Sequence, residues 1–590
     1  MKSNNKNKHK SKSILNKYLK KYKFSFLIGI ISLIIVDVTQ LQIPVITGNI
    51  TDGLQNGAYT FNNLLNEALK LFIIGAIIAC FRFVWRYFIF GTSRKIEYEL
   101  RNDFFSHLEK LSLRFYNENK TGDLMAYATN DLNAIRMMVG PGLLMALDAI
   151  VLSILVILKM LTNISVNLTL VAIIPLPIIA IGSLLFGKAI RVRFKDKQEA
   201  FSHLSDVVQE NISGIQVIKA FVQESKEVIE FNKINKNNYN KNMRVVKLFA
   251  IMLPLAMLVS GLSVAIVLGY GGYITILGKI TLGEFVAFTQ YLLMLVWPMM
   301  AFGWCINIMS QGMASLSRFQ KVLDEEPEIF DEKTVKQIDK IKGNIEINNL
   351  SFSYPGSDLK ELNDICVNIK KGETLGIVGR TGSGKTTLVN MLLRMYNPPR
   401  NTIFIDGNDI MDIPLKVLRN SIGYVPQDNF LFSDTISRNI AFGVIEASDQ
   451  YIHLAAKDAN VHDNIIEFTN QYETVVGERG VTLSGGQKQR ISIARALIKE
   501  PSIMILDDSV SAVDTNTEEQ ILSHIREERK DKTTIIIAHR ISTIQNSDKI
   551  IVIDDGKITE SGTHESLLAE NGLYYDMVQK QQLEKELDKE

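Results

Sequence analysis

The chain has 590 residues, a formal net charge of +2 and 22% charged residues, so it is too long for one ordinary domain. That charge balance gives no support to a nucleic-acid partner. A mean hydropathy of +0.09 fits an average over a membrane-embedded part and a water-soluble part. Three cysteines, Cys80, Cys305 and Cys366, lie far apart without metal-ligand spacing and read as reduced thiols rather than a disulfide framework.

Residues 1–23 carry nine lysines and no acid. The apolar run that follows is too long for the core of a signal peptide, and no small-residue cleavage site closes it. The basic head therefore reads as a cytoplasmic anchor; a nucleic-acid-binding arm is the alternative. Six apolar stretches follow, at about Phe24–Ile46, Leu71–Phe90, Met138–Leu161, Leu168–Phe186, Leu248–Ile276 and Phe285–Met309. Each is long enough to cross ~30 Å of hydrocarbon at about 1.5 Å per residue. The connections alternate between short, weakly charged ones and two long, highly charged ones at Gly91–Met137 and Gly187–Lys247. Counting Lys and Arg puts the N-terminus, both long loops and everything after Met309 in the cytoplasm.

Arg191–Asn211 and Glu224–Lys247 lack Pro and Gly, and are predicted to be helices that carry the fourth and fifth spans into water. Small apolar segments at Gly214–Glu224 and Leu113–Asp123 are placed at the tips of the resulting hairpins and suit docking on a soluble surface; an ordinary helical turn is the plainer reading. Asp37, Arg82, Arg86, Asp148 and Lys159 fall inside the spans, where charge is costly without a partner or a wet cavity. Arg82 and Arg86 lie one turn apart and are expected to pair with an acid such as Asp37. The functional alternative has Asp37 facing a cavity and attracting a cationic substrate.

From Ile341 the pattern changes to short β-type runs alternating with helices, as expected of an α/β domain around a mostly parallel sheet. Gly379-Arg380-Thr381-Gly382-Ser383-Gly384-Lys385-Thr386-Thr387 satisfies the phosphate-loop pattern, with a strand before it and a helix after it. Backbone N–H groups of the loop would converge on phosphate oxygens, Lys385 would reach the β/γ-phosphates, and the Thr386 hydroxyl would ligate Mg²⁺. Ile503-Met-Ile-Leu-Asp507 ends a strand in a second Mg²⁺-site carboxylate. Leu483-Ser484-Gly485-Gly486-Gln487 opens a helix. Gln427 lies at a strand exit, and His539 follows the strand Thr534–Ala538, where it could reach a γ-phosphate.

Together these motifs make the second half resemble the ATP-binding cassette, and the whole chain is similar to a half-transporter of the ABC exporter family. The resemblance implies a membrane all-α six-helix domain fused to an α/β phosphate-loop cassette, using ATP and Mg²⁺ in the plasma membrane of a bacterium. The expected layout is a basic N-terminus (1–23), a transmembrane domain (24–320), a linker (321–341), the cassette (342–577) and a charged tail (578–590). It further implies that Tyr354 stacks on adenine and that Gln427 touches Mg²⁺ with Thr386 and Asp507. Glu478-Arg479-Gly480 is then the segment facing the coupling helices, and Ser511–Asp514 crosses between two cassettes. Two such cassettes pack head to tail in this family, so Leu483–Gln487 serves the ATP of a partner and the chain must dimerise.

One departure stands out. The residue after the Mg²⁺ carboxylate is usually Glu, the base that orients water, and here it is Asp508. One methylene fewer leaves the carboxylate about 1.5 Å short, and a misplacement on the order of 1 Å can cost ~100-fold in rate. The chain in this respect resembles one subunit of the bacterial heterodimeric multidrug exporters, and a partner with Glu and an altered signature is expected. A homodimeric lipid or peptide exporter and an ATP-gated channel are the alternatives. The cargo expected is a small hydrophobic or cationic compound.

Overall fold

The computed structural model describes residues 14–332, 335–477, 483–509 and 515–587. Contacts divide the chain into two compact units, Met1–Glu109 with Asn119–Glu326, and Lys110–Glu118 with Pro327–Glu590.

The first unit is helical. Among the described residues, five helices are long and apolar enough to cross a membrane, at Lys23–Gln55, Phe61–Leu108, Thr121–Asn163, Glu224–Ile276 and Leu282–Leu323. The fourth expected span differs. It is split between helices at Val166–Ile173 and Leu176–Ser213, because Pro175 and Pro177 lack the N–H groups that a continuous helix needs. The predicted cytoplasmic extensions are present: Leu176–Ser213 and Glu224–Ile266 run as unbroken helices and turn at the short helix Ile215–Ala220. That tip keeps Val217, Phe221 and Val222 exposed.

Two local devices organise the spans. Lys23–Gln40 and Gln42–Gln55 meet at Leu41, three residues before the helix-disrupting Pro44, and the Leu41 carbonyl there accepts the hydroxyl of buried Tyr291 at 2.8 Å. At the other end, Thr281 caps the helix Leu282–Met294 in a capping box with Glu284. Asp52 accepts from the Thr281 hydroxyl and the Gly283 N–H, both at 2.6 Å. Those bonds draw the helix Gln42–Gln55 so close that a Cβ on Gly283 would collide with the Gly48 carbonyl.

The second unit contains two sheets. Strands β1 (Ile345–Phe352), β2 (Leu362–Ile369), β3 (Thr374–Val378), β4 (Ile403–Ile405), β5 (Asn408–Asp409), β6 (Ile422–Val425), β7 (Ile503–Asp507), β8 (Thr533–Ile537), β9 (Lys549–Asp554) and β10 (Lys557–Gly562) appear in chain order. The first sheet is antiparallel, in the order β2-β1-β4-β5. The second has the order β10-β9-β3-β8-β7-β6, with β9, β3, β8, β7 and β6 parallel. Its central strands are continuous apolar runs, as a sheet covered on both faces requires. Successive residues nonetheless feed different cores. Ile503, Ile505, Ile535 and Ile537 pack on one side with the helix after the phosphate loop. Met504, Leu506 and Ile536 pack on the other with the helix Gly485–Leu497. The sheet is thus a partition between two cores, and its strand ends hold the phosphate loop and Asp507 in fixed register.

The helix Leu573–Leu587 runs through residue 578, where the charged tail was expected to begin, and Val578 is buried in a cassette core.

Replacing Gly283 by Ala should lower the melting temperature of the detergent-solubilised chain by at least about 3 °C, through overpacking against backbone that cannot yield. Gly75→Ala, where nothing lies within 4 Å of the added carbon, should leave it unchanged in the same thermal scan.

Candidate active site

The phosphate loop connects β3 to the helix Lys385–Leu392. Gly384 caps that helix at φ +100°, a left-handed conformation that favours glycine. Side chains are excluded at both edges: a Cβ on Gly379 would strike the Ile553 carbonyl, and one on Gly384 would lie 2.6 Å from the Glu361 carbonyl. The loop backbone is therefore a bare cradle at a helix N-terminus, the geometry that attracts anions. Ser383 is buried and its hydroxyl has no hydrogen-bond partner. Arg380 and Thr381 lie exposed at the loop crest.

Lys385 is buried, and its Nζ donates to the carbonyls of Gly379 (2.8 Å) and Arg380 (2.7 Å). Burial lowers its pKa, with the Asp507 and Asp508 charges acting in opposition. Asp507, at the end of β7, is 2% exposed with one carboxylate oxygen unpartnered. Burial raises its pKa, whereas the Thr386 hydroxyl hydrogen-bonded to it, Lys385 and His539 favour the charged form. The Tyr424 phenol also bonds Asp507, and burial followed by that carboxylate pushes the phenol's own pKa up. These are the features of a site made for a divalent cation and a polyphosphate: a buried, half-satisfied carboxylate beside a hydroxyl, and a buried ammonium beside bare backbone. Among the described residues no group of three or more His, Cys, Asp or Glu converges.

Asp508 follows at φ +47°, a left-handed position that Asp tolerates. Its N–H donates to the Ile537 carbonyl at 2.8 Å, and its carbonyl accepts Gln489 Nε2 at 3.3 Å. The helix that Ser484 opens is thereby tied to the end of β7. Ser484 caps that helix in a capping box with Gln487. Leu483 is buried, while Ser484 and Gly485 are exposed and turned to solvent in the single chain. The signature and the phosphate loop are both formed, but nothing joins them within this chain's hydrogen-bond network among the described residues. Gln427 and His539 are exposed on loops after β6 and β8.

Gln581, Tyr396 and Asn117 carry no motif and escaped the sequence reading. Gln581, on the C-terminal helix, donates to the His539 carbonyl at 2.6 Å and accepts from the Ile541 N–H at 2.9 Å, clamping the histidine loop. Tyr354 shares a 3.0 Å hydrogen bond with the Thr387 hydroxyl and packs edge-on against Tyr396. The Tyr396 hydroxyl in turn accepts Asn117 Nδ2 at 3.1 Å. Asn117 lies on the short helix Leu113–Glu118, which is grouped with the cassette and held by Arg114 to Glu328 at 2.6 Å. Glu478, Arg479, Gly480 and Ser511–Asp514 lie outside the described residues.

In the helical unit, Asp37 lines a cavity together with Arg82, Arg86 and Asp148. Arg82 acts through space on both Asp37 and Asp148, as the expected pairing with an acid requires, but neither arginine makes a direct ion pair with Asp37. Arg82 donates to Gln40 Oε1 at 3.3 Å, and the Arg86 guanidinium stands 5.3 Å over the Trp85 ring.

Residues 26–299 match the family described as ABC transporter transmembrane region, and residues 362–511 match the ABC transporter family. The chain is 43% identical over 574 residues to "Probable multidrug resistance ABC transporter ATP-binding/permease protein YheI" of Bacillus subtilis, covering 97% of this chain and 98% of that protein. It is 38% identical to "Multidrug resistance-like ATP-binding protein MdlA" of Escherichia coli, covering 97% of each. A solved "bacterial Atm1-family ABC exporter with ATP bound" superposes with a TM-score of 0.79 at 28% identity, over 95% of this chain and 98% of that one. With the cradle, the buried ammonium and the half-satisfied carboxylate in place, the chain belongs to the ABC exporter family: it is an ATP-hydrolysing, multi-pass transporter of the plasma membrane.

Proposed function

We propose that this chain is one half of a heterodimeric multidrug exporter, and that the ATP bound at its own phosphate loop turns over slowly. The carrying observation is Asp508 in the position of the usual Glu, beside an intact Leu483–Gln487 signature. In this reading the loop Gly379–Thr387 and Lys385 hold the phosphates, and Tyr354 stacks on the adenine. Thr386, Gln427 and Asp507 hold Mg²⁺, which when bound neutralises charge on the β- and γ-phosphates. His539 contacts the γ-phosphate. The short Asp508 carboxylate orients the attacking water poorly. Ser484 and the two glycines complete the partner's faster site, in keeping with the exposure of Ser484 and Gly485 in the single chain.

The cytoplasmic hairpin supports the need for a second half. Its tip exposes Val217, Phe221 and Val222 at 61%, 70% and 78%, an apolar end that docks on the partner's cassette. Closing the cassettes joins each phosphate loop to the opposite signature. Because those contacts exist in only one of the two states, they supply the differential free energy that drives the membrane halves outward. The relatives named for multidrug resistance support drugs as cargo, and hydrophobic or cationic compounds are the class we propose.

Purification of the chain from its native membrane should bring down a second half-transporter with Glu at the position of Asp508 and a changed signature. Vigorous drug-stimulated ATPase from this chain expressed alone would reject the heterodimer. In the assembled transporter, Asp508→Glu should raise hydrolysis at this chain's own site by ten- to about a hundredfold, read by single-turnover kinetics with the partner's base removed. Lys385→Ala should abolish nucleotide trapping at that site, measured by photolabelling with azido-ATP.

A further inference from the structure

The His539 side chain is exposed, yet the loop that carries it is held from two directions. On one side stands the C-terminal helix Leu573–Leu587. Its Gln581 offers both halves of one amide to the loop: Nε2 donates to the His539 carbonyl at 2.6 Å, and Oε1 accepts from the Ile541 N–H at 2.9 Å. Gln suits this task because its amide carries a donor and an acceptor side by side. The Ile541 N–H opens the short helix Ile541–Ile544, which has no side-chain cap at Arg540, so Gln581 satisfies one of its orphan donors. On the other side, buried Glu518 accepts from the Arg540 guanidinium at 3.3 Å and from the Thr543 hydroxyl. Those two bonds hold side chains that follow the histidine, whereas Gln581 holds the main chain of His539 itself.

The C-terminal helix does not need Gln581 for its own anchorage. Tyr574 and Val578 lie on the same helical face and are buried in a cassette core together with Ile541 and Ile544. At the start of the helix, Glu560 of β10 accepts the N–H groups of Leu573 and Tyr574. Past Gln581 the helix is exposed over residues 582–584. The helix is thus fixed at its start and along its face, and the Gln581 amide is left to act on the histidine loop.

We propose that Gln581 is a positioning residue for ATP hydrolysis: it fixes the His539 main chain so that the imidazole meets the γ-phosphate. The inference rests on the reading of His539 as the γ-phosphate contact and deepens it by naming the group that holds the contact in place. The clamped carbonyl belongs to the same residue as the imidazole, so releasing it lets the Cα and the ring move together. A shift on the order of 1 Å can cost ~100-fold in rate. Nucleotide binding rests instead on the loop Gly379–Thr387, which Gln581 does not touch. Rate and binding should therefore separate.

The test is single-turnover ATP hydrolysis at this chain's site, in the full transporter with the base of any second half removed. Gln581→Leu deletes both hydrogen bonds and keeps the bulk of the side chain. It should lower the rate by about tenfold or more, while azido-ATP labelling and the melting temperature stay unchanged. Hydrogen exchange over residues 538–544 should quicken in the same variant. Placed on top of His539→Ala, Gln581→Leu should cost nothing further, because the group it positions is gone. An unchanged rate or unchanged exchange overturns the proposal. So does a loss of rate matched by a loss of labelling, or a full second loss on top of His539→Ala, since either marks a merely structural role. The γ-phosphate reading fails separately, and the proposal with it, if His539→Ala alone keeps the full rate.

Discussion

The cassette depends on a single electrostatic arrangement: an ammonium and a carboxylate, both buried at the ends of strands in one parallel sheet. Lys385 follows β3 and Asp507 ends β7, with only β8 between those strands. Neither charge is satisfied well. The lysine leans on two carbonyls of its own loop, and the aspartate leaves one oxygen bare. Such charges are tolerated because the sheet is gripped from both faces by separate cores, so the strand ends cannot move apart to let water in. A polyphosphate with its metal ion relieves both at once.

The same logic recurs in the membrane unit at a different scale. Backbone approaches such as Gly48 to Gly283 and the Tyr291–Leu41 hydrogen bond fix the helices. With the scaffold fixed, the Asp37 oxygen is kept without a partner at a cavity wall.

Asp508 links these ideas to turnover. Its backbone is held on both sides, by Ile537 and by Gln489 of the signature helix, so the carboxylate cannot advance by shifting the main chain. In the proposed reading, the length of the side chain then limits how far it reaches. The clamp of Gln581 on the histidine loop acts similarly: it fixes a backbone and leaves the His539 side chain exposed.

Much of this was legible in the residues. Glycine spacing, the apolar strand ending in Asp507 and the Leu483–Gln487 motif are local, and local chemistry can be read in one dimension. The helical extensions were legible too, since long stretches without Pro or Gly have few other folds. The break in the fourth span went unread because hydropathy counts Pro175 and Pro177 as tolerable, whereas hydrogen-bond geometry does not. Partners across the chain were beyond reach. Arg82 was matched with Asp37 by sign, yet packing gave the guanidinium to Gln40 and set Asp148 beside Asp37. Gln581 and Tyr396 sit in no motif, and only folding brings them to His539 and Tyr354. Sequence by itself determined that the chain spans a membrane and handles ATP, because periodicity and loop chemistry are properties of neighbours in the chain. Tertiary structure decided which buried charges go unanswered, because that depends on which helices and strands come to rest against one another.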